Sequence, residues 1–356
     1  MSTYHEQQKR NNTIRLRAIL EECPYFLGEF FRAMANTASI KTRVVYAYDL
    51  KIFFTYISQH HKKLKGTALE DMQLDCLNEI SADDIESFLE YLTYYQKPDP
   101  FCPEKMIDIQ NDAVGKTRKL AAVRTMYQFF YKKQKISSNP AAIVDAPKIH
   151  KKQIIYLEPD EVANLLDLVE NCNTDAMSHT QKAHIAHSQK RDLALISLFL
   201  GTGMRVSECV GIDLNDIDFR NNSVKVIRKG GNESILYFNE EVQQALLDYI
   251  AQREKQKNKA EQEQALFLSN RGTRITVRAV ENIVKKYSRI TSPSKKISPH
   301  KLRSTYATSL YQETGDIYLV ADALGHSDIN TTQKHYAAMG ENRRRSAPNY
   351  IKLRKN

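Results

Sequence analysis

The last quarter of this 356-residue chain contains Ser298-Pro-His300-Lys-Leu-Arg303, followed by Leu324-Gly-His326 and then by Thr331-Thr-Gln-Lys-His-Tyr336. An imidazole, a guanidinium, a second imidazole and a phenol therefore appear in this order along the chain. Each of these side chains can bind an oxygen of a phosphodiester, exchange a proton with it or attack its phosphorus. The stretch thus predicts a site for chemistry on a phosphodiester.

Two further cationic side chains stand upstream. Arg205 lies in Gly201-Thr-Gly-Met-Arg205-Val-Ser-Glu208, and Lys229 lies in Arg228-Lys229-Gly230-Gly231. Arginine suits a phosphate clamp, because its planar fork grips two non-bridging oxygens and its charge is permanent. An isolated arginine is usually only a solvated charge, but within these motifs Arg205 and Arg303 are predicted to clamp one phosphate from two sides.

Composition narrows the class of protein. The chain carries 52 Lys and Arg against 42 Asp and Glu, a formal net charge of +10, which favours a polyanionic partner. No apolar run approaches the roughly 18 residues that span a bilayer, and the N-terminus lacks the apolar core of a signal peptide. The 5 cysteines have no Cys-x-x-Cys spacing, which indicates reduced thiols. We therefore expect a cytoplasmic protein that binds nucleic acid and no membrane.

The organisation of the chain predicts two domains. Residues 1–145 read as a helical domain, because apolar residues recur at helical intervals. Residues 146–157 are basic and contain proline, as a linker does. Residues 158–340 read as a compact mixed domain, and residues 341–356 form a basic tail. The predicted fold class is mainly α with a small β-hairpin or sheet in the second domain.

Several elements can be located more closely. Ser81-Ala-Asp-Asp84 is typical of a helix start, and the three prolines between Lys97 and Glu104 indicate a loop. Two alternating runs joined by a glycine pair, residues 224–228 and 234–238, predict a β-hairpin. The polar residues 171–190 predict an exposed loop or a helix insertion. Further helices are predicted at 117–133, 192–200, 240–256, 276–290, 300–313 and 316–323.

Together, the motifs resemble the active site of the tyrosine recombinases, the phage-integrase family of DNA strand-exchange enzymes. The resemblance covers residues 192–340 in motif order, and residues 40–148 resemble the family's helical core-binding domain. It implies a two-domain clamp around double-stranded DNA. Tyr336 would attack the scissile phosphate to give a 3′-phosphotyrosine and a free 5′-hydroxyl. Because the tyrosyl link holds the bond energy, neither a metal nor another cofactor is implied.

The resemblance assigns roles around the phosphate. Arg205 and Arg303 match the clamp, and His300, one helical turn before Arg303, would accept the tyrosine proton or hydrogen-bond the phosphate. His326 would be another donor to the phosphate, although a histidine after Leu-Gly often only caps a helix. Glu208, one turn after Arg205, is expected to orient that arginine rather than to take part in the chemistry.

The leaving 5′-oxygen needs a proton, and Lys229 matches the family's hairpin lysine that donates it. Lys225 and Arg228 are competitors on the same hairpin, where all three would otherwise be edge-protecting charges. Other basic residues are expected to contact DNA: Lys116, Arg118, Lys119, Arg124, Lys151, Lys152 and Arg228.

Tyr336 departs from the family's spacing by one residue. It stands ten residues after His326 (336 − 326), whereas the family places its tyrosine nine residues after this histidine, a position held here by His335. A one-residue adjustment before the tyrosine helix keeps Tyr336 as the predicted nucleophile. The displacement leaves open a catalytically inert DNA-binding regulator on the same scaffold.

The type of reaction and the assembly also admit more than one interpretation. A type IB topoisomerase would use the same chemistry, but the integrase-like N-terminal half and Leu-Gly-His favour a recombinase. A metal-dependent nuclease lacks its carboxylate cluster. Recombination joins two sites with two strands each, which implies a homotetramer at synapsis and a monomer or weak dimer when free, associated with a bacterial nucleoid. Integration of a mobile element and resolution of chromosome dimers both stay open, as do docking of the tail on a neighbouring protomer and its contact with DNA.

Overall fold

The computed structural model describes most of the chain as two compact units, Met1–Lys151 and Lys152–Asn356. The division falls inside residues 146–157, the predicted linker, while the domain boundaries themselves stay predictions. None of the helices described combines the length and the apolar character that crossing a bilayer requires. The residues described are 3–99, 102–150, 154–171, 179–228, 230–255 and 264–325, with only the backbone for 179–187.

The first unit is a helical bundle around an aromatic core. Its third helix contacts the first, fifth and sixth helices. The rings of Phe53 and Phe88 meet edge to face with centroids 5.1 Å apart, and Phe26 meets Phe130 at 5.6 Å. Edge-to-face ring pairs stabilise the core beyond the burial of their apolar area, because the positive edge of one ring meets the negative face of the other. The helices are α1 (Tyr4–Glu21), α2 (Leu27–Ala33), α3 (Ile40–His60), α4 (Cys76–Glu79), α5 (Ala82–Tyr91) and α6 (Ala113–Lys132).

The first unit also contains a β-hairpin that the sequence did not predict. Strand β1 (Tyr94–Pro98) pairs antiparallel with β2 (Met106–Gln110). The predicted loop between Lys97 and Glu104 is therefore wrong at its start, because Lys97 and Pro98 still belong to β1. A proline is tolerated at the end of a two-stranded ribbon, where both strands have a free edge.

The second unit is built on one long helix, α8 (His179–Thr202). It contacts α7 (Pro159–Glu170), α10 (Glu240–Lys255) and α12 (Pro299–Thr314), and its residues 194–196, 198 and 199 are fully buried. It begins at His179, so the polar segment before residue 192 extends the predicted helix. The helices are α7 (Pro159–Glu170), α8 (His179–Thr202), α9 (Val206–Gly211), α10 (Glu240–Lys255), α11 (Val277–Thr291), α12 (Pro299–Thr314) and α13 (Ile317–Leu324).

A three-stranded antiparallel sheet completes this unit. Its strands are β3 (Ile217–Asp218), β4 (Ser223–Ile227) and β5 (Glu233–Tyr237), in the order β3-β4-β5. The turn between β4 and β5 contains Gly230 and Gly231, whose φ angles of 98° and 90° lie in the region that favours glycine. The predicted hairpin and the mainly α fold class are confirmed.

Candidate active site

Arg205 is held at the start of α9 by a buried carboxylate. Its backbone N–H donates to Oε2 of Glu208 at 2.7 Å, and its Nη1 donates to Oε1 at 2.8 Å. The Glu208 side chain is 3% exposed, whereas that of Arg205 is 34% exposed. One carboxylate therefore fixes both the main chain and the guanidinium, and part of the arginine stays open to solvent. This is the contact that an orienting role for Glu208 requires, although the role itself stays a prediction.

Arg303, a buried residue that is 5% exposed, links three motifs through its guanidinium. Its Nη1 donates to the carbonyl oxygen of Gly203 at 2.6 Å, and its Nη2 donates to that of Leu324 at 2.5 Å. The first acceptor lies two residues before Arg205, and the second ends α13. The loop before α9, helix α12 and the end of α13 consequently meet at one cationic group.

The loop before α9 also packs closely on α12. Gly203 has a φ of 62°, and a Cβ built on it would lie 2.3 Å from Cδ1 of Tyr306. Only glycine fits both the backbone conformation and this space without displacing the ring. Tyr306 is partly buried, and this desolvation raises the pKa of its phenol. Gly203 thus brings the Arg205 loop close to the helix that carries Arg303.

His300 lies in the first turn of α12, one turn before Arg303. Pro299 occupies the first helical position, where a missing N–H costs nothing. His300 is exposed, so its imidazole is accessible to a substrate. Further along α12, the Thr305 hydroxyl accepts a hydrogen bond from the Leu157 N–H at 3.0 Å, which connects α12 to the segment before α7.

Two cations of the β4–β5 hairpin, Lys225 and Arg228, have partners in the structure. The ammonium of Lys225 lies 3.6 Å from a carboxylate oxygen of Glu233 and 3.6 Å from one of Asp216. Glu233 first and Asp216 second raise the pKa of Lys225, which makes it a poorer proton donor. Arg228 donates from Nη2 to the Ala323 carbonyl at 3.2 Å. Its guanidinium therefore lies against the end of α13.

Two of the cations expected on DNA have partners within the first unit. Lys119 is 5% exposed, and its ammonium donates to Oδ1 of Asn111 at 2.7 Å. Arg124 donates from Nε to the Ala141 carbonyl at 3.1 Å and from Nη2 to the Val144 carbonyl. Both side chains hold α6 to its surroundings.

Lys116 and Arg118 are more accessible. The ammonium of Lys116 donates to the Thr93 hydroxyl at 2.7 Å in an exposed position. Arg118 forms an ion pair through Nη1 with the buried Asp49, yet 44% of its side chain is exposed. Each of them keeps cationic surface facing solvent.

The remaining predicted site residues lie outside the part of the chain that the structure describes. They are Lys151, Lys152, Lys229, His326 and Tyr336. Lys229 stands in the sequence between Arg228 and Gly230, and His326 directly follows Gly325. Their assignments stay predictions.

Comparisons with known proteins identify the family. Residues 156–343 match the model of the phage integrase family. The chain belongs to the phage integrase family of tyrosine recombinases. It is 33% identical over 324 residues to tyrosine recombinase XerC of Caldanaerobacter subterraneus subsp. tengcongensis, covering 88% of this chain and 81% of that protein. It is 28% identical to tyrosine recombinase XerS of Streptococcus thermophilus, covering 92% of this chain and 95% of that protein. The predicted enzyme class, a site-specific recombinase, is confirmed.

Solved structures share the fold. The XerH recombinase in a post-cleavage complex with palindromic difH substrate has a TM-score of 0.64 at 19% identity, covering 96% of this chain and 89% of that one. A lambda integrase dimer bound to a COC′ core site has a TM-score of 0.58 at 15% identity, covering 86% of this chain and 96% of that one. At these identities the likeness concerns the fold.

Proposed function

We propose that this recombinase cleaves and rejoins double-stranded DNA at a specific site through a 3′-phosphotyrosine on Tyr336. The observation that carries the proposal is the pair of hydrogen bonds from Arg303 to Gly203 and Leu324. They draw the loop of Arg205 and the helix end that precedes His326 to the helix that carries His300. These contacts support one phosphate site to which separate segments of the chain contribute.

The proposed step conserves atoms and charge. The phenolic oxygen of Tyr336 forms a bond to the scissile phosphorus, and the bond from phosphorus to the 5′-oxygen breaks. The phenol proton passes to His300, and the 5′-oxygen takes a proton from Lys229. Arg205 and Arg303 neutralise the charge that develops on the non-bridging oxygens. Attack by a partner strand's 5′-hydroxyl reverses the step and releases Tyr336.

The charges around the hairpin support Lys229 as the proton donor. Lys225 has its pKa raised by Glu233 and Asp216, so it holds its proton more tightly than an unpaired lysine. The guanidinium of Arg228 is permanently charged and already donates to Ala323. Neither Lys225 nor Arg228 is thus well suited to give up a proton, which supports assigning this role to Lys229, as the family resemblance implies.

The proposed partner is double-stranded DNA, in keeping with the DNA complexes described for XerH and lambda integrase. Lys116 and Arg118, with exposed charge, are the proposed phosphate contacts of the first unit, and Lys151 and Lys152 of the predicted linker are proposed contacts as well. Four protomers would assemble at synapsis, because two duplexes each exchange two strands.

Covalent capture tests the proposal. Binding selection from random-sequence duplexes with the Tyr336→Phe variant recovers the site. Duplexes nicked at successive positions then trap the cleaved strand on the protein. The short fragment between the cleavage site and the nick, which carries the free 5′-hydroxyl, diffuses away and cannot rejoin the strand. We expect a denaturation-resistant adduct with the wild type and none with Tyr336→Phe.

Different outcomes would point to a different activity. Site binding without any cleavage would indicate an inert regulator. Adduct formation with supercoil relaxation but no exchange between two duplexes would indicate a topoisomerase. Cleavage that needs Mg²⁺ and leaves no adduct would indicate a nuclease.

A further inference from the structure

Two arginines from other elements bind the C-terminal end of α13. Arg303 donates to the Leu324 carbonyl at 2.5 Å, and Arg228 donates to the Ala323 carbonyl at 3.2 Å. The last turn of α13 has no basic residue of its own. Because the C-terminal carbonyls of a helix lack partners within the helix and carry partial negative charge, they attract such guanidinium groups. Arg303 belongs to the proposed phosphate clamp, whereas Arg228 has no part in the chemistry proposed above.

Gly325 makes room for Arg228. It ends α13 with a φ of 60° in the left-handed region, and its N–H donates to carbonyls of the last turn. A Cβ built on Gly325 would lie 1.0 Å from Nη1 and 2.2 Å from Cζ of Arg228. The guanidinium thus occupies the space that a side chain at position 325 would need. Glycine is required here both for the backbone conformation and for this contact.

The main chain of Arg228 closes the turn that contains Lys229. Its N–H donates to the Asn232 carbonyl at 2.8 Å, and its carbonyl accepts from the Gly231 N–H at 3.1 Å. Backbone and side chain of one residue therefore connect the β4–β5 turn to the residue that precedes His326. A turn with two successive glycines can adopt many backbone conformations. A contact with another element limits these conformations, so less conformational entropy is lost when the turn becomes ordered on a substrate.

We propose that Arg228 is a positioning residue that anchors the β4–β5 turn, and with it Lys229, to the end of α13. The proposal rests on the proposed role of Lys229 as proton donor to the 5′-oxygen. A general acid must lie within hydrogen-bond reach of the atom it protonates, so a displaced turn slows proton transfer more than it weakens DNA binding.

Paired substrates separate positioning from other roles. One carries the ordinary scissile phosphate, and the other carries a 5′-bridging phosphorothiolate, whose sulfur leaves without needing a proton. Lys229→Ala should be slow on the first and restored on the second. Arg228→Ala should follow the same pattern, with single-turnover cleavage of the ordinary substrate slowed about 10- to 100-fold. Arg228→Met keeps the length of the side chain without its donors and serves where Arg228→Ala does not fold.

Arg220→Ala is the matched control. Arg220 is exposed in the turn before β4, so this variant removes the same charge from the same sheet without touching α13. Its rates on both substrates should stay within about twofold of the wild type. Site binding and the melting temperature are measured for every variant.

Gly325→Ala tests the contact from the other side. The new methyl group displaces the guanidinium and adds strain at a positive φ. If the contact acts through Arg228, the double variant Arg228→Ala/Gly325→Ala cleaves the ordinary substrate no more slowly than Gly325→Ala alone. Independent, multiplying losses would contradict the coupling.

The outcomes distinguish the two proposals. If Lys229→Ala is restored by the phosphorothiolate but Arg228→Ala is equally slow on both substrates, Arg228 contacts DNA or only stabilises the fold, and the positioning role is wrong. Wild-type rates for Arg228→Ala on both substrates would also overturn it. If Lys229→Ala is not restored, the assigned proton donor is wrong, and positioning through Lys229 is wrong with it.

Discussion

The two arginines of the proposed clamp are held in different ways. Arg205 keeps a third of its side chain exposed and has one carboxylate partner, Glu208. Arg303 is buried, and its guanidinium donates to two carbonyls from separate parts of the chain. Loss of Arg205 should therefore affect the chemistry more than the fold, whereas loss of Arg303 should affect both.

Arg205→Ala should slow adduct formation by about 100-fold or more, as expected for the loss of a charge partner in the transition state. Arg303→Ala should slow it at least as much and lower the free energy of unfolding by about 1–3 kcal/mol, because buried carbonyls lose their donor. Single-turnover trapping and denaturant unfolding measure the two effects, with Arg220→Ala as a control. Near-normal cleavage by both variants would refute the clamp.

Asp49 gives a prediction on pH. Its burial raises the pKa to about 6, although Arg118 and Lys119 act in the opposite direction. Because the folded-state pKa lies above the unfolded one, the contribution of Asp49 to stability is fully present below the unfolded pKa. It is lost as the pH rises through about 6.

In Asp49→Asn this titration is absent, so the wild type should lose stability relative to the variant as the pH rises from about 4 to about 7. Melting temperatures of the full chain measured across this range give the difference. The difference between a protonated Asp49 and an asparagine adds an offset that does not change with pH, because the ion pair with Arg118 is already part of the folded-state pKa. Parallel pH profiles for the two proteins would contradict the raised pKa.

At the scale of elements, local sequence rules located most of the helices, and one of the two hairpins, that the structure describes. The β4–β5 hairpin was predictable because Val224 and Val226 alternate with polar residues before two glycines. The β1–β2 hairpin was not, since Pro98 at the strand end reads as a break in the chain. There the pairing is reinforced by side chains, with Tyr94 donating to Asp108 at 2.8 Å. A cross-strand contact of this kind has no local signature.

The start of α5 gives a prediction at this scale. The Asp84 N–H donates to the Ser81 hydroxyl at 3.2 Å, and the Ser81 N–H donates to the Asp84 carboxylate at 2.9 Å. Ser81→Ala should lower the free energy of unfolding by about 1 kcal/mol. Asp83→Ala, which removes a neighbouring exposed first-turn carboxylate outside this box, should cost only about 0.3 kcal/mol. Denaturant unfolding compares the two, and an equal or larger loss in Asp83→Ala would contradict the capping role.

At the scale of the whole molecule, the sequence predicts which groups react but not how they are held. His300 and Arg303 are predicted to react because their motif keeps the family's order and spacing. The contact between Arg228 and Ala323 spans 95 residues, and that between Arg303 and Gly203 spans 100. Such contacts arise only when separate elements pack together. For the same reason the sequence did not reveal that Lys119 and Arg124 form hydrogen bonds within the first unit.

The basic tail gives a prediction on assembly. If residues 346–356 dock on a neighbouring protomer, their deletion should weaken synapsis and strand exchange more than binding to a single site. Replacing Lys352, Arg354 and Lys355 by alanine keeps the apolar residues of the tail and should then cost less than the deletion. Gel-shift and exchange assays measure both. Equal losses of site binding and synapsis would favour a tail that touches only DNA.

Mapping the trapped adduct tests the central claim most directly. Neighbouring residues on an α-helix point about 100° apart. If His335 and Tyr336 lie on a helix, as predicted, only one of them can face the phosphate. Protease digestion of the covalent complex, followed by mass spectrometry, identifies the residue linked to the 3′-phosphate. The expected result is a phosphotyrosine at Tyr336, with capture retained in His335→Ala and abolished in Tyr336→Phe. An adduct on His335, or on another tyrosine such as Tyr350, would contradict the account.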